Sequence, residues 1–305
     1  MPGASSAGRP TAADDPLRTP ATSYFRDGNG RLPWLALFDG VADNCEMKSE
    51  QKDQYLRRIE FSGAVSVDWA CLASLQLAHL ETVPFENIDV ELGTPIVLDP
   101  ERLFDKIVGR RRGGFCYELN GLFADLLRAL GFSVWLLSAR VARPDGTFGL
   151  PAGHMMVLVE LDEPWLVDVG FGDSFIQPLR LRSGIEQTDG RTTYMVLQVE
   201  KEWLLLKKHD VVWATELQFS LHHHELADFN DMCVWTQTAQ ESHFVRNSIC
   251  TRLTNDGRIT LSGQRLIVTA HGQKQEYLVE GKMEREAQLL RLFYVDLTAP
   301  DNGEG

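Results

Sequence analysis

The sequence has little that would direct it to nucleic acid, to a membrane or to secretion. Its 30 Lys and Arg are outnumbered by 43 Asp and Glu, which gives a formal net charge of -13. No general basic field therefore attracts a nucleic-acid backbone. No apolar run reaches the length of a bilayer span, and the N-terminus lacks the charged-then-apolar order of a secretory signal. We expect a cytoplasmic protein without nucleic-acid or membrane partners.

Cysteine is also scarce, and the cysteines do not occur in closely spaced pairs. The five cysteines lie far apart, at positions 45, 71, 116, 233 and 250, and no CxxC pair occurs among them. This spacing argues against a zinc ribbon or a redox dithiol and predicts reduced thiols. The run of histidines at 222–224 has no neighbouring cysteine or second histidine pair, so no metal is expected.

Sequence texture divides the chain into successive regions. Residues 1–46 are rich in Ala, Pro, Ser, Gly and Asp without a hydrophobic period, which predicts a flexible extension. Apolar residues at helical spacing up to Gly131 then predict a helical lobe. Runs of β-branched residues follow and predict a barrel-like lobe, and a short helical stretch follows at 284–292. The predicted strands cover 134–142, 154–161, 165–169, 192–199, 203–206 and 258–269.

One segment combines a tight turn with a nucleophilic side chain. In RGGFCYELN, residues 112–120, two glycines precede Cys116 and an amphipathic helical pattern follows it. The glycines let the chain turn into a helix whose first N–H groups are unpaired and favour an anion. A thiol there, beside an imidazolium, becomes a nucleophile at neutral pH. A buried structural cysteine is the alternative that this segment alone leaves open.

Two later strands supply groups that such a nucleophile needs. His154 opens the apolar run HMMVLV, and Asp168 lies near the end of the run WLVDVGFG. The short turn at 162–164 pairs these strands antiparallel and brings His154 and Asp168 to adjacent positions. An aspartate in an apolar strand needs a partner, because an isolated buried charge is costly. The set predicts a Cys116 nucleophile, a His154 base and an Asp168 that orients the base.

These segments resemble the signature segments of the arylamine N-acetyltransferases. Three more do so in the same chain order: VPFEN at 83–87, HELADF at 224–229 and SHF at 242–244. The resemblance runs from about Met47 to the end of the chain. Residues 1–46 have no counterpart in it.

The resemblance implies an α+β fold and an acyl-transfer reaction. The fold would comprise a helical bundle over 47–132, a β-barrel over 133–235 and an α/β lid over 236–305, around a core like that of cysteine proteases and transglutaminases. Cys116 would take an acetyl group from acetyl-CoA as a thioester in a ping-pong mechanism. An arylamine, hydrazine or N-hydroxyarylamine would then receive it. Acetyl-CoA is here a substrate, and no permanently bound cofactor is expected.

Further residues near the motifs have weaker assignments. The candidate substrate contacts are Phe85, Phe115, Gly153 and Phe171. Core packing explains the aromatic members of that set equally well. The candidate CoA contacts are Gly170, Gly172 and Ser174. They rest on the resemblance alone, because Asp173 has the wrong charge for a phosphate site. Glu86 and Arg112 resemble a structural ion pair of the family that braces the loop before the nucleophile.

Other functions share the same triad. On this fold a Cys-His-Asp triad also serves amide synthases, transglutaminases and cysteine proteases, and only access of water or amine to the acyl-enzyme separates them. A propionyl or malonyl donor could replace acetyl. A binding protein on an inherited scaffold would predict a broken triad, whereas all three residues are present here.

Overall fold

The structure is a computed structural model that describes residues 47–298. The predicted extension over residues 1–46, which includes Cys45, lies outside the described residues. Within the described range no helix is both long and apolar enough to cross a membrane. The helices are α1 Ser49–Arg58, α2 Trp69–Thr82, α3 Ile88–Leu92, α4 Pro100–Phe104, α5 Cys116–Ala129, α6 Asn230–Thr238, α7 His243–Arg246 and α8 Lys282–Phe293.

Local chemistry sets the ends of several helices. The Asp68 carboxylate accepts the Cys71 N–H and begins α2, and the Asp99 carboxylate does the same for Arg102 in α4. After α5, Gly131 takes a φ of +95°, a conformation that suits glycine and lets the chain leave the helix. A π-helical segment, Asp105–Gly109, and a 3-10 segment, Leu226–Phe229, complete the helical part.

Thirteen strands within residues 47–298 form two antiparallel sheets. The strands are β1 Phe85–Glu86, β2 Ser133–Val141, β3 His154–Glu160, β4 Pro164–Val167, β5 Leu179–Arg180, β6 Glu186–Thr188, β7 Thr193–Val199, β8 Glu202–His209, β9 Val212–His224, β10 Ile249–Thr254, β11 Gly257–Ser262, β12 Arg265–Ala270 and β13 Gln273–Leu278. The larger sheet has the order β5-β4-β3-β2-β9-β8-β7-β6 and curls into a nearly closed barrel. The smaller has the order β1-β10-β11-β12-β13.

The hairpin β3–β4 places the predicted histidine and aspartate. The two strands pair antiparallel with Val157 opposite Val167 and Glu160 opposite Pro164, as the short turn between them predicts. His154 is the first residue of β3, and Asp168 directly follows β4. Because this register runs both strands to the same end of the hairpin, the two side chains emerge together.

Helix α5 is the central helix of the described core. Every residue from Cys116 to Leu127 is buried, and the apolar face of α5 packs on β2 and β3. Its buried polar side chains, Glu118, Asn120 and Asp125, all have hydrogen-bond partners. The helix therefore fixes the position of its first residue, Cys116, against the barrel.

The smaller sheet links distant parts of the chain. Its short strand β1 lies within the range predicted as helical bundle, yet it pairs with β10, so that Phe85 faces Thr251. Helix α8 packs on this sheet through Leu289 and Phe293, which share an apolar cluster with Cys250. The division of the chain at residues 132 and 235 stays a prediction; α6 spans the second boundary.

The prediction of one strand over 258–269 is wrong. Two strands, β11 and β12, occupy this range and form a hairpin, with Ile259 opposite Val268. The chain reverses at Gly263, which has a φ of +57°. The polar residues SGQR at 262–265 interrupt the β-branched pattern, and this turn signal was overlooked in the prediction.

Candidate active site

The candidate nucleophile lies where the glycine pair predicts it. Helix α5 begins at Cys116, and Phe115 before it has an extended backbone. The Cys116 side chain is 4% exposed. Its sulfur thus lies at a helix N-terminus in a largely buried setting, where an anion is favoured.

His154 and Asp168 form a short, buried ion pair. Nε2 of His154 lies 2.6 Å from Oδ2 of Asp168, and both side chains are almost fully buried. Cys116 lies close enough to the His154 imidazole to raise its pKa. The structure therefore brings together all three residues of the predicted triad, in the order thiol, imidazole, carboxylate.

Opposing effects set the protonation of the imidazole. Burial lowers the pKa of His154, but the charge and hydrogen bond of Asp168, with a smaller contribution from Cys116, raise it to about 10. His154 consequently carries its second proton at neutral pH. An imidazolium beside a sulfur favours the reactive thiolate.

Asn120 is a site residue to which the sequence analysis assigns no role. Its Nδ2 donates to Oδ1 of Asp168 at 2.9 Å and to the Met155 carbonyl at 2.7 Å, while its Oδ1 accepts the Val169 N–H at 2.8 Å. Asn120 thus ties α5 to the ends of β3 and β4. Its spacing from Cys116 could have indicated this, because a residue four positions later lies on the same face of a helix.

Gly170 packs directly against the nucleophile. A Cβ atom at this position would lie 2.8 Å from Cα of Cys116 and 2.8 Å from Nδ2 of Asn120. Only glycine fits without a shift of backbone. The Gly170 N–H also donates to Oδ1 of Asp168 at 2.8 Å. Gly170 was predicted as a CoA contact; in the structure it packs against Cys116 and Asn120.

The other predicted CoA contacts continue the same loop. Gly172 has a φ of +94° and lies against Phe85 and Thr251. The Ser174 hydroxyl donates to Oε2 of Glu216 at 2.9 Å, so one of its hydrogen bonds is already made within the protein. The contact of these residues with CoA stays a prediction.

The predicted substrate contacts fall into two places. The Phe171 ring meets the His154 ring edge to face, with centroids 5.1 Å apart, and is half-buried. Phe85 and Phe115 both contact a third ring, that of Phe244, with centroid distances of 5.9 and 6.1 Å. Gly153 precedes His154 in a turn closed by a hydrogen bond from its N–H to the Leu150 carbonyl. Of the three predicted aromatic contacts, Phe171 is the one whose ring meets that of His154; its contact with a substrate stays a prediction.

The predicted ion pair belongs to a larger group. Arg112 Nη2 lies 2.8 Å from Oε1 of Glu86 and 2.8 Å from Oδ1 of Asp89, and all three side chains are buried. Asp89 was not predicted. Asp89 lies three residues after Glu86, and nothing in the sequence distinguishes it from an aspartate on the protein surface. The group braces the chain just before Gly113.

The histidine run at 222–224 forms no metal site in the described part of the chain. His222 and His224 stack edge to face at 4.9 Å, and His224 lies 3.5 Å from Asp228. Among residues 47–298 no group of three or more His, Cys, Asp or Glu side chains has an arrangement suited to a metal ion.

A thiol at a helix N-terminus beside a buried His–Asp pair is typical of the class of enzymes that transfer acyl groups through a cysteine. Comparison with known proteins is consistent with this class. A family model described as N-acetyltransferase matches residues 68–301. The arylamine N-acetyltransferase of Escherichia coli is 38% identical over 213 residues, which cover 69% of this chain and 76% of that protein. The chain belongs to the arylamine N-acetyltransferase family.

Two further relatives extend the comparison. The arylamine N-acetyltransferase / N-hydroxyarylamine O-acetyltransferase of Salmonella typhimurium is 37% identical, over 63% of this chain and 69% of its own. The solved structure of the Mycobacterium marinum arylamine N-acetyltransferase in complex with CoA superposes with a TM-score of 0.76 at 31% identity, over 81% of this chain and 93% of its own. The likeness to such structures confirms the predicted α+β fold with its cysteine-protease-like core.

Proposed function

We propose that the protein transfers an acetyl group from acetyl-CoA to an arylamine, a hydrazine or an N-hydroxyarylamine through a thioester on Cys116. The observation that carries the proposal is the short His154–Asp168 pair beside a thiol at the start of α5. The names of the Escherichia coli and Salmonella typhimurium relatives support the acceptor class. The Mycobacterium marinum complex supports CoA as the carrier.

The first half-reaction acylates the cysteine. The Cys116 thiolate attacks the carbonyl carbon of acetyl-CoA, and the bond between that carbon and the CoA sulfur breaks. The leaving CoA sulfur takes the proton held by the His154 imidazolium. Asp168 keeps the imidazole oriented and compensates its charge. The products are acetyl-Cys116, neutral His154 and free CoA.

The second half-reaction discharges the thioester. The amine nitrogen attacks the acetyl carbon while neutral His154 accepts the proton that the nitrogen loses. The bond to Cys116 breaks, the sulfur leaves as a thiolate beside the new imidazolium, and the acetylated amine departs. The same histidine thus gives up its proton in the first half-reaction and regains one in the second, which suits its buried place beside a single carboxylate.

The pocket residues have proposed roles around this centre. Phe171, Phe85, Phe115 and Gly153 would contact the amine. The loop that holds Gly170, Gly172 and Ser174 would approach CoA. Support for Phe171 is its edge-to-face contact with His154. Support for the loop is its attachment to the triad through Gly170.

We also propose a cytoplasmic location. The described cysteines at 71, 116, 233 and 250 are all free thiols, which suits a reducing compartment.

Intact mass measurement tests the function. Wild type incubated with acetyl-CoA should gain one acetyl group and lose it on addition of a simple arylamine. Cys116→Ala should gain none. Cys71→Ala, which removes a different buried thiol, is the matched control and should acylate like wild type.

Three results would overturn parts of the proposal. If no small acyl-CoA acylates the wild type, the donor assignment fails and the amide synthase or protease alternative takes its place. If acetyl-Cys116 decays as fast in buffer as with arylamine, the protein is a hydrolase. If propionyl-CoA or malonyl-CoA acylates faster than acetyl-CoA, the acetyl assignment is wrong while the nucleophile stands.

A further inference from the structure

A buried carboxylate supports the turn that carries the nucleophile. Oε2 of Glu118 accepts the backbone N–H of Phe115 at 3.0 Å, and its Oε1 accepts Nζ of Lys106 at 2.7 Å. Glu118 is 1% exposed and Lys106 is 5% exposed. Glu118 is the third residue of α5, so its side chain folds back over the start of its own helix and holds the residue before Cys116.

Lys106 connects this carboxylate to the ion-pair group described above. Its Nζ lies 2.7 Å from Oδ2 of Asp89, whose Oδ1 lies 2.8 Å from Arg112. Through Arg112 the network reaches Glu86 in β1. Three carboxylates and two cations therefore form one continuous buried chain from the smaller sheet to the first turn of α5. A buried network of this kind has one arrangement in which its members are satisfied, and so resists displacement.

The second glycine of the motif is explained by the same contact. A Cβ atom on residue 114 would lie 2.7 Å from Oε2 of Glu118 and 2.9 Å from its Cβ. The space beside Gly114 is thus filled by the carboxylate that caps Phe115. An added methyl group would push that oxygen away from the Phe115 N–H.

The position of the cysteine depends on this turn. Cys116 must stay beside His154 for the imidazolium to act on the sulfur, and small displacements of a reacting group cost large factors in rate. We propose that Glu118 is a positioning residue for Cys116: its carboxylate holds the Phe115–Cys116 turn, and Lys106 holds the carboxylate and offsets its charge. This inference rests on the proposed function, because it takes Cys116 as the nucleophile.

Paired double variants separate the hydrogen bond from the charge. Glu118→Gln with Lys106→Met removes one negative and one positive charge but keeps an oxygen that can accept the Phe115 N–H. Glu118→Leu with Lys106→Met removes the same charges and the acceptor at similar side-chain volume. The two proteins have equal net charge, so a difference between them reports on the hydrogen bond alone.

The readout is the pH midpoint for alkylation of Cys116 by iodoacetamide, followed by mass spectrometry of the peptide that contains it. We call the variant with Glu118→Gln the Gln pair and the variant with Glu118→Leu the Leu pair. We expect the midpoint of the Gln pair to stay near that of wild type. We expect the Leu pair to shift upward by roughly half a pH unit or more, because the sulfur loses its alignment with the helix N-terminus and with His154. Its kcat should fall roughly tenfold or more.

Gly114→Ala tests the same contact with Glu118 and Lys106 intact, and it serves if the Leu pair does not fold. It should shift the midpoint in the same direction as the Leu pair. Asp125→Asn is the matched control: Asp125 is a buried acid of the same helix, bonded to Arg128 at 2.9 Å and remote from the first turn. It should lower the melting temperature without moving the midpoint.

A purely structural role for Glu118 would overturn the inference. In that case the Leu pair and Gly114→Ala would melt at lower temperature while their alkylation midpoints matched that of the Gln pair. Since alkylation needs no acyl donor, this result is independent of the transferase assignment. A wild type that alkylates normally but never acylates would instead refute the proposed function.

Discussion

Asn120 Nδ2 donates a 2.9 Å hydrogen bond to Oδ1 of Asp168, across a separation of 48 residues. Asn120 is one turn beyond Cys116 on α5, so the helix that begins with the proposed nucleophile also holds the carboxylate that pairs with His154. Helix α5 therefore holds Cys116 directly, Asp168 through Asn120, and His154 through Asp168. Any change in how α5 sits on the barrel moves all three contacts together.

Replacement of Asn120 should impair catalysis more than stability. In Asn120→Ala, Asp168 and the Val169 N–H lose a buried partner, and the carboxylate becomes free to rotate away from His154. We expect kcat/KM to fall roughly 10- to 100-fold. Asn120→Asp should be worse, because a second carboxylate would face Asp168. Rates of acetyl-enzyme formation, with melting temperatures as control, check this; equal rates in all three proteins would contradict it.

Replacement of Asp168 should change the titration of His154. Asp168→Asn removes the charge that raises the pKa of His154 to about 10 and leaves burial, which lowers it. His154 should then be neutral at pH 7, whereas in wild type it keeps its proton until the alkaline range. Carbon-13 NMR of labelled histidine measures this directly. Acylation should slow at least roughly a hundredfold; an unchanged His154 titration would show that Asp168 does not control it.

A methyl group at Gly170 should displace the nucleophile. Gly170→Ala puts a carbon atom 2.8 Å from Cα of Cys116. Something must shift, and we expect acetyl-enzyme formation to slow roughly tenfold or more. Gly149→Ala is the matched control, because its nearest atom, the Val141 carbonyl oxygen, would lie 3.4 Å away. Both variants are assayed by burst acylation and thermal melting. Equal acylation in the two would refute the tight contact.

A buried histidine away from the site should make the fold sensitive to acid. His79 lies between the rings of Tyr55 and Phe123, and neither of its ring nitrogens has a hydrogen-bond partner among residues 47–298. Burial, with a smaller contribution from Arg58, lowers the pKa of His79 to about 3. Below about pH 6.5 His79 takes up a proton in the unfolded chain but not in the folded chain. The free energy of unfolding therefore decreases as the pH is lowered.

From this group we expect a loss of about 2 kcal/mol in unfolding free energy between pH 8 and pH 5. His79→Phe should remove that part of the pH dependence and keep the ring contacts. The exposed His271 supplies the control, since His271→Gln should leave the pH dependence as in wild type. Denaturant unfolding at both pH values measures the difference. A pH dependence equal in His79→Phe and wild type would contradict the assignment.

Contacts between residues close in sequence were predictable. The glycine pair before Cys116 and the helical pattern after it indicate a helix start, and α5 begins there. The three-residue turn after β3 leaves one antiparallel register that satisfies both apolar strands, so His154 and Asp168 meet. Each inference needs only turn chemistry and side-chain periodicity.

Contacts between residues distant in sequence were not predictable. Nothing near Asn120 in the sequence indicates Asp168, and nothing near Glu86 indicates that β1 joins β10. The turn at Gly263 was missed for another reason: the polar residues at 262–265, with a glycine among them, mark a turn that the prediction of one strand overlooked. Lys106 and Glu118 resemble ordinary surface charges of a helical region until their burial is known.

The sequence by itself determined the family, the start of the nucleophile's helix and the pairing of His154 with Asp168, because these depend on residue types and local geometry. Only the tertiary structure decided which side chains complete the site. Asn120 and Glu118 act through partners that reach them when α5 packs on the barrel and on the segment that holds Lys106. Burying such groups is favourable only once those partners are in place, and no local pattern encodes that condition.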